Sequence, residues 1–306
     1  MEKETTSMLK NTLLITLLIV SFSSQAELVG YWTFEDGLTD SSGNGYDGVV
    51  SNSNTELDIL GTEANHYVNF GDNSIALPMY YDSEIESLGL SIWFNTSYSS
   101  PEYEYDGYDK DTHVYDSAWT SYINSSLIDF DRSDYYSLVV TGNGEIMFSY
   151  SSKASGTWDL YDIVAEGDVA YNDGEWHKVN VNYSEDGGLQ IYVDAELILS
   201  EIYTGYIGGV GNTRYGFIGD NSEAETFNSG SNNLYYNGMI DNVAIYDDAI
   251  AEEVIIDSYA AEVSTYYDVP LFNAPSSLCL LFLFRGRKNR GSRMRHAGPR
   301  TRDIDN

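Results

Sequence analysis

Between Glu27 and about Ser264 the chain repeats one unit, a short run of β-forming residues followed by a cluster of Gly, Asn, Asp or Ser. The runs are Leu28–Phe34, His66–Phe70, Leu88–Phe94, Tyr135–Thr141, Glu145–Tyr150, Trp176–Tyr183, Leu189–Val193, Tyr215–Ile218 and Tyr235–Tyr246. Within one of them Val179, Val181 and Tyr183 alternate with Asn180 and Asn182, the two-residue period of a strand with one face toward a core. Gly142-Asn143-Gly144 and Asp186-Gly187-Gly188 read as tight hairpin turns. No helical segments separate the runs, so parallel strands with helical crossovers are excluded. One stretch, Ala249 to Glu262, has a helical pattern. The expected fold is all-β, a two-sheet antiparallel jelly-roll sandwich with one short C-terminal helix.

Both ends differ from this body. Residues 1–26 have the form of a secretory signal: Lys10, the apolar run Leu13 to Val20, and a small-x-small site at Ser24-Gln25-Ala26. Glu2 and Glu4 are unusual there, and a start at Met8 gives a cleaner signal than one at Met1. At the other end, residues 265–306, eight of the fifteen basic residues fall between Arg285 and Arg302. They follow the apolar stretch Leu278 to Phe284, which is preceded by Pro270 and Pro275. That order resembles the C-terminal sorting signals of the PEP-CTERM type, whose basic end stays inside the membrane. The apolar stretch has seven residues where about 20 are needed to span, so a disordered basic tail is the alternative. These ends imply a secreted, cell-surface or periplasmic protein of a Gram-negative bacterium, with membrane contact limited to the tail.

The remaining 27–264 body forms one domain. Residues 27–284 hold five basic residues (Lys110, Arg132, Lys153, Lys178, Arg214) against 44 acidic ones, a net of −39. Such a surface repels phosphate and excludes nucleic acid as a partner. Cys279 stands alone, and no Cys/His set suits zinc. Residues 99–122 read as an acidic, tyrosine-rich insertion, and a loop of that length is usually functional or disordered. Its Tyr103, Tyr105, Tyr108, Tyr115 and Trp119, and also Trp158-Asp159-Leu160-Tyr161, offer aromatic faces and polar groups to a sugar.

Five signatures in order carry a family resemblance: Tyr31-Trp32-Thr33-Phe34-Glu35-Asp36 with the turn Asp40–Gly45; Leu90–Phe94; Gly174–Val179; Leu189–Asp194; and Asn237–Tyr246. Together they resemble LamG-like jelly-roll domains of the concanavalin A-like lectin/glucanase superfamily. Tyr67-Val68-Asn69-Phe70-Gly71-Asp72 departs from the family's Gly-rich strand, and Ala195 stands where the family's Tyr-Val-Asp-Gly turn has glycine. In Gly174–Val179, Trp176 is expected to anchor the core and His177 to face outward. Strict alternation of Met239, Asp241, Val243 and Ile245 places Asp241 on the inward face, where a carboxylate is costly unless paired.

The resemblance implies that the first and last strands are neighbours. It thereby brings Asp241 beside Glu35, Asp36 and the Asp40–Asn44 turn, an oxygen-rich setting suited to structural Ca²⁺. The expected ligands are Glu35, Asp40, Asn44 and Asp241; the alternative is a plain turn bonded to its own backbone. Retaining glycosidases need two carboxylates about 5–5.5 Å apart. The nearest stretches, Glu84-Ile85-Glu86 and Glu102-Tyr103-Glu104-Tyr105-Asp106, lie in loops, and His66, His113 and His177 lack triad neighbours. The expected function is a calcium-stabilised, non-catalytic module for a polysaccharide or glycoconjugate. The alternative is a structural matrix or surface protein contacting other proteins, with a glycoside hydrolase the weaker third reading.

Overall fold

The computed structural model describes residues 26–51, 56–62, 65–71, 73–99, 126–130, 135–152, 159–165, 169–202, 205–208, 216–220, 236–266 and 300–301. Two antiparallel sheets face each other across an apolar core, as the strand pattern predicts.

Sheet A runs β13 (Glu196–Glu201), β12 (Gly188–Val193), β11 (Trp176–Ser184), β6 (Ser87–Asn95), β15 (Gly238–Tyr246), β4 (Asn65–Phe70) and β3 (Asp58–Thr62). The opening strand β1 (Leu28–Trp32) also pairs with β15, so the two ends of the domain are neighbours. Along one side of β15, Gly238–Ile240 bond β4 and Val243–Tyr246 bond β1. The change of partner falls at a bulge between Asp241 and Ala244, where Asn242 has φ 47°.

Sheet B runs β16 (Arg300–Thr301), β10 (Asp159–Ala165), β9 (Ile146–Ser152), β8 (Tyr136–Val140), β7 (Ser126–Phe130), β14 (Gly216–Ile218), β5 (Ile75–Leu77) and β2 (Val49–Val50). Its core face carries the cross-strand row Phe130, Tyr136, Tyr150 and Tyr161. Tyr150 and Tyr161 stack at 5.1 Å, and Phe130 meets Tyr136 at 5.0 Å. Much of the tyrosine content is therefore core material, which suits a residue with a large ring and strand preference. Of the Trp158–Tyr161 stretch, Trp158 lies outside the described residues, while Asp159, Leu160 and Tyr161 belong to β10 and Tyr161 packs against the core.

The helix α1 (Glu252–Tyr266) starts three residues later than the pattern suggests and lies on the outer face of sheet A. Gly89 permits that approach, since a Cβ there would meet the Asp248 carbonyl at 2.6 Å. Asn182 then holds the lead-in, accepting from the Ile250 N–H at 2.8 Å and donating to the Ile250 carbonyl at 2.8 Å. The alternation in β11 is therefore real, but both faces are covered: Val179, Val181 and Tyr183 by the core, Lys178, Asn180 and Asn182 by the helix and its lead-in.

Candidate functional site

Asp40 is buried and organises the turn after β1. Its Oδ1 accepts from the backbone N–H of Tyr31 (3.0 Å) and of Ser42 (2.9 Å). Its Oδ2 accepts from the Ser42 hydroxyl (2.9 Å) and the Tyr46 N–H (3.0 Å). Burial raises its pKa, but those bonds outweigh the burial and hold the carboxyl below its ordinary value. Asn44 points its amide at the carbonyls of Leu28 (3.1 Å) and Val29 (2.9 Å). Glu35 turns to β4, accepting from the His66 N–H at 2.9 Å and meeting His66 Nδ1 at 2.7 Å.

Asp241 is buried on the other face from the one alternation implies. It stands opposite Trp93 in register, and directly opposed residues share a face. Trp93 stacks on Tyr259 of α1, so this face is the helix side of sheet A. The bulge reverses the parity, leaving Ile240, Val243 and Ile245 in the core. Of the four expected calcium ligands, Asp40 and Asn44 share a turn, while Glu35 bonds His66 of β4 and Asp241 accepts from the Asn242 N–H within β15. With four donors on two oxygens, Asp40 has filled its lone-pair positions, and among the described residues no three His, Cys, Asp or Glu side chains group around a metal. The corner as built does not fit the expected cage.

At the start of β11 the two side chains are exchanged relative to expectation. Trp176 is half-buried on the outer face against Tyr67 (5.4 Å), and His177 points inward beside Phe94. His177 Nδ1 lies 2.8 Å from Asp194 Oδ2, and Nε2 lies 3.2 Å from Asp173 Oδ1. Both bonds form together only when both ring nitrogens carry protons. Burial opposes that charge, but Asp194 and Asp173 outweigh it and raise the imidazole pKa above 6.5. Stability from this clasp is therefore complete below about pH 6.5 and is lost as pH rises through the raised folded value. Melting of wild type and His177→Gln between about pH 5.5 and 8.5 should show the wild type's advantage shrinking as pH rises. A constant difference would remove the clasp as a titrating element.

The sequence reading missed a cleft beneath α1. Lys178, the one lysine or arginine of the body within the described residues, is 2 % exposed and lies on the outer face of β11. Its Nζ donates to Glu262 (2.8 Å) and Ser258 (3.1 Å) of α1, and the Trp93 indole N–H also donates to Glu262. Beside it the Oδ1 of Asn180 is buried without a hydrogen-bond partner. Tyr31 and Asn242, joined by a 3.0 Å hydrogen bond, line the other side of a cavity of about 50 Å³. The available signal was the lysine between Trp176 and Asn180 on one strand face, in a body with so few cations.

On sheet B, the face away from the core carries Asp129, Ser137 and Ser149 in one cross-strand row, all closed to solvent. Glu84 and Glu86 are exposed on either side of Ile85, which bridges to Ile207. Tyr103, Tyr105, Tyr108, Tyr115 and Trp119, the expected sugar contacts, lie outside the described residues.

The two-sheet antiparallel sandwich agrees with the family comparison. The family model Laminin_G_3, of the concanavalin A-like lectin/glucanases superfamily, matches residues 71–256, and the chain belongs to that family. Comparison with curated proteins gives no match. Among solved structures, domain 4 of AbnA, an extracellular GH43 arabinanase of Geobacillus stearothermophilus, in complex with arabinotriose, has a TM-score of 0.50 at 14% identity. That likeness covers 76% of this chain and 98% of that domain. The binding domain of botulinum neurotoxin DC has a TM-score of 0.51, at 15% identity in complex with rat synaptotagmin II and 14% with SialylT. Those matches cover 77% and 78% of this chain, and the chain spans about half of each toxin domain, 51% and 52%. At these identities the likeness is one of fold.

Proposed function

We propose that this chain is a secreted, non-catalytic binding module whose ligand is a glycan or glycoconjugate. The supporting observation is the fold, shared over nearly the whole of an arabinanase domain whose structure is a complex with arabinotriose. The absence of catalysis is part of the proposal and rests on the described carboxylates. Asp40 is spent on its turn, Glu35 on His66, and Glu84 and Glu86 flank a bridging residue.

The purified protein should be retarded on at least one immobilised polysaccharide, arabinan and sialylated glycans included, while releasing no reducing sugar. No retardation on any of them removes the glycan, and a protein partner then takes its place. The toxin domain's complex with rat synaptotagmin II is the observation behind that second reading. Calcium enters as a separate question, because the Asp40 corner already satisfies its own carboxylate. Melting with calcium and with a chelator should give equal midpoints; a calcium-dependent rise of several degrees would restore the ion to this reading.

A further inference from the structure

We propose that the cleft between α1 and sheet A receives a neutral hydroxyl-bearing group, the arm of a sugar or a free polyol. The inference rests on the glycan-binding reading and deepens it by naming where one arm of the ligand lodges. The cleft is written into strand register. Tyr31, Ala244, Ser91 and Asn180 form one cross-strand row over β1, β15, β6 and β11. Ala244 and Ser91 are the small members in the middle of that row, and Ser258 is the small residue that α1 sets among the lining groups. Small side chains on both layers leave about 50 Å³, above the roughly 10–15 Å³ at which a cavity first admits a water-sized group.

The chemistry of the lining is selective. Asn180 is 2 % exposed, and its Oδ1 is an acceptor without a donor. Lys178, two residues away on the same strand face, uses two of its three Nζ hydrogens on Ser258 and Glu262. A bare acceptor and a spare donor thus belong to the lining of one cavity. A hydroxyl is both donor and acceptor and answers both. An added anion finds the Lys178 charge already matched by Glu262, a cation meets that ammonium, and an apolar group leaves the amide unsatisfied. Outside the cleft, Asn65 Oδ1 and Ser152 Oγ are the other buried polar atoms without partners among the described residues, and neither lines this cavity.

The test is a titration of the full chain with arabinotriose and, separately, with xylitol, following the Asn180 side-chain amide by ¹H–¹⁵N NMR. Saturable shifts of that amide are expected with at least one probe. Asn180→Leu should bind at least tenfold more weakly while melting at or above wild type, because it removes an unsatisfied amide. Ala244→Val, which fills the floor and leaves every polar group in place, should weaken binding in the same direction. An amide unmoved by both probes means that the cleft holds ordered water only, and the inference falls. Polysaccharide retention by wild type that Asn180→Leu leaves intact also overturns the cleft while the glycan reading stands. A xylitol shift with no polysaccharide retained keeps the cleft and removes the glycan.

Discussion

Replacing Asp40 with alanine should cost about 3–5 kcal/mol of folding stability, since each hydrogen bond to a buried charged group contributes about 1.5–3 kcal/mol and the set is not additive. The carboxylate joins the end of β1 to a turn nine residues later through Tyr31, Ser42 and Tyr46. Its loss leaves three backbone donors to be hydrated or orphaned at a partly buried corner, while the Ser42 hydroxyl keeps the Val29 carbonyl as acceptor at 3.2 Å. Asp40→Asn keeps the shape but changes an acceptor into a donor facing those donors, so it should recover little. The bonds hold the folded pKa of Asp40 below its ordinary 3.8. A depressed carboxyl contributes stability that is complete above the unfolded value and lost as pH falls through the folded one. Wild type should therefore converge toward Asp40→Ala at strongly acid pH, measured by urea midpoints. A parallel pair of curves down to about pH 2 would show that the carboxylate charge is not what holds the corner.

Removing the Glu262 carboxylate should be of similar size, about 3–5 kcal/mol, because it leaves the buried Lys178 ammonium unpaired. Burial already lowers the Lys178 pKa, with Glu262 opposing the shift. Without Glu262 that opposition is gone and the depression deepens. The unfolded state then binds more protons than the folded one, so the Glu262→Ala deficit should narrow as pH rises toward the ordinary lysine value of 10.5. Trp93 loses its indole acceptor in the same variant. The double variant Lys178→Met with Glu262→Leu should recover most of the loss, since an apolar pair of similar volume replaces a buried ion pair at little cost. Urea denaturation of the three proteins decides it: a double variant as weak as the single one would mean that packing of α1, rather than charge, sets the penalty.

Several features of this molecule were legible residue by residue. Alternation in Trp176–Tyr183 put Val179, Val181 and Tyr183 in the core, and the same parity, carried two residues back, already turned His177 inward and Trp176 outward. The expectation for those two failed because residue type was weighed above period. Asp241 failed for the opposite reason. Its alternation was read strictly, and Asn242 at positive φ interrupts it. An asparagine in the left-handed region is among the commoner non-glycine choices, but the sequence marks no bulge there. Ala195 also lies at positive φ, 61°, in the turn where the family has glycine. Its methyl is buried with Tyr192, Ile250 and Ile255, a return that offsets the backbone cost.

The strand periods, the turn clusters and the missing crossovers sufficed by themselves for an antiparallel two-sheet sandwich, and the order of the signatures for its family. Both follow from local rules: side chains alternate along a strand, and tight turns need particular residues. Which carboxylates met which donors was decided only by tertiary structure. Asp40 went to its own turn, Glu35 to His66 and Glu262 to Lys178. Those partners come from strand register, a one-residue bulge and the docking of α1 on sheet A. Such positions depend on packing between segments as far apart as β1 and β15, and a chain rich in acids offers each donor many equivalent partners until the fold selects one.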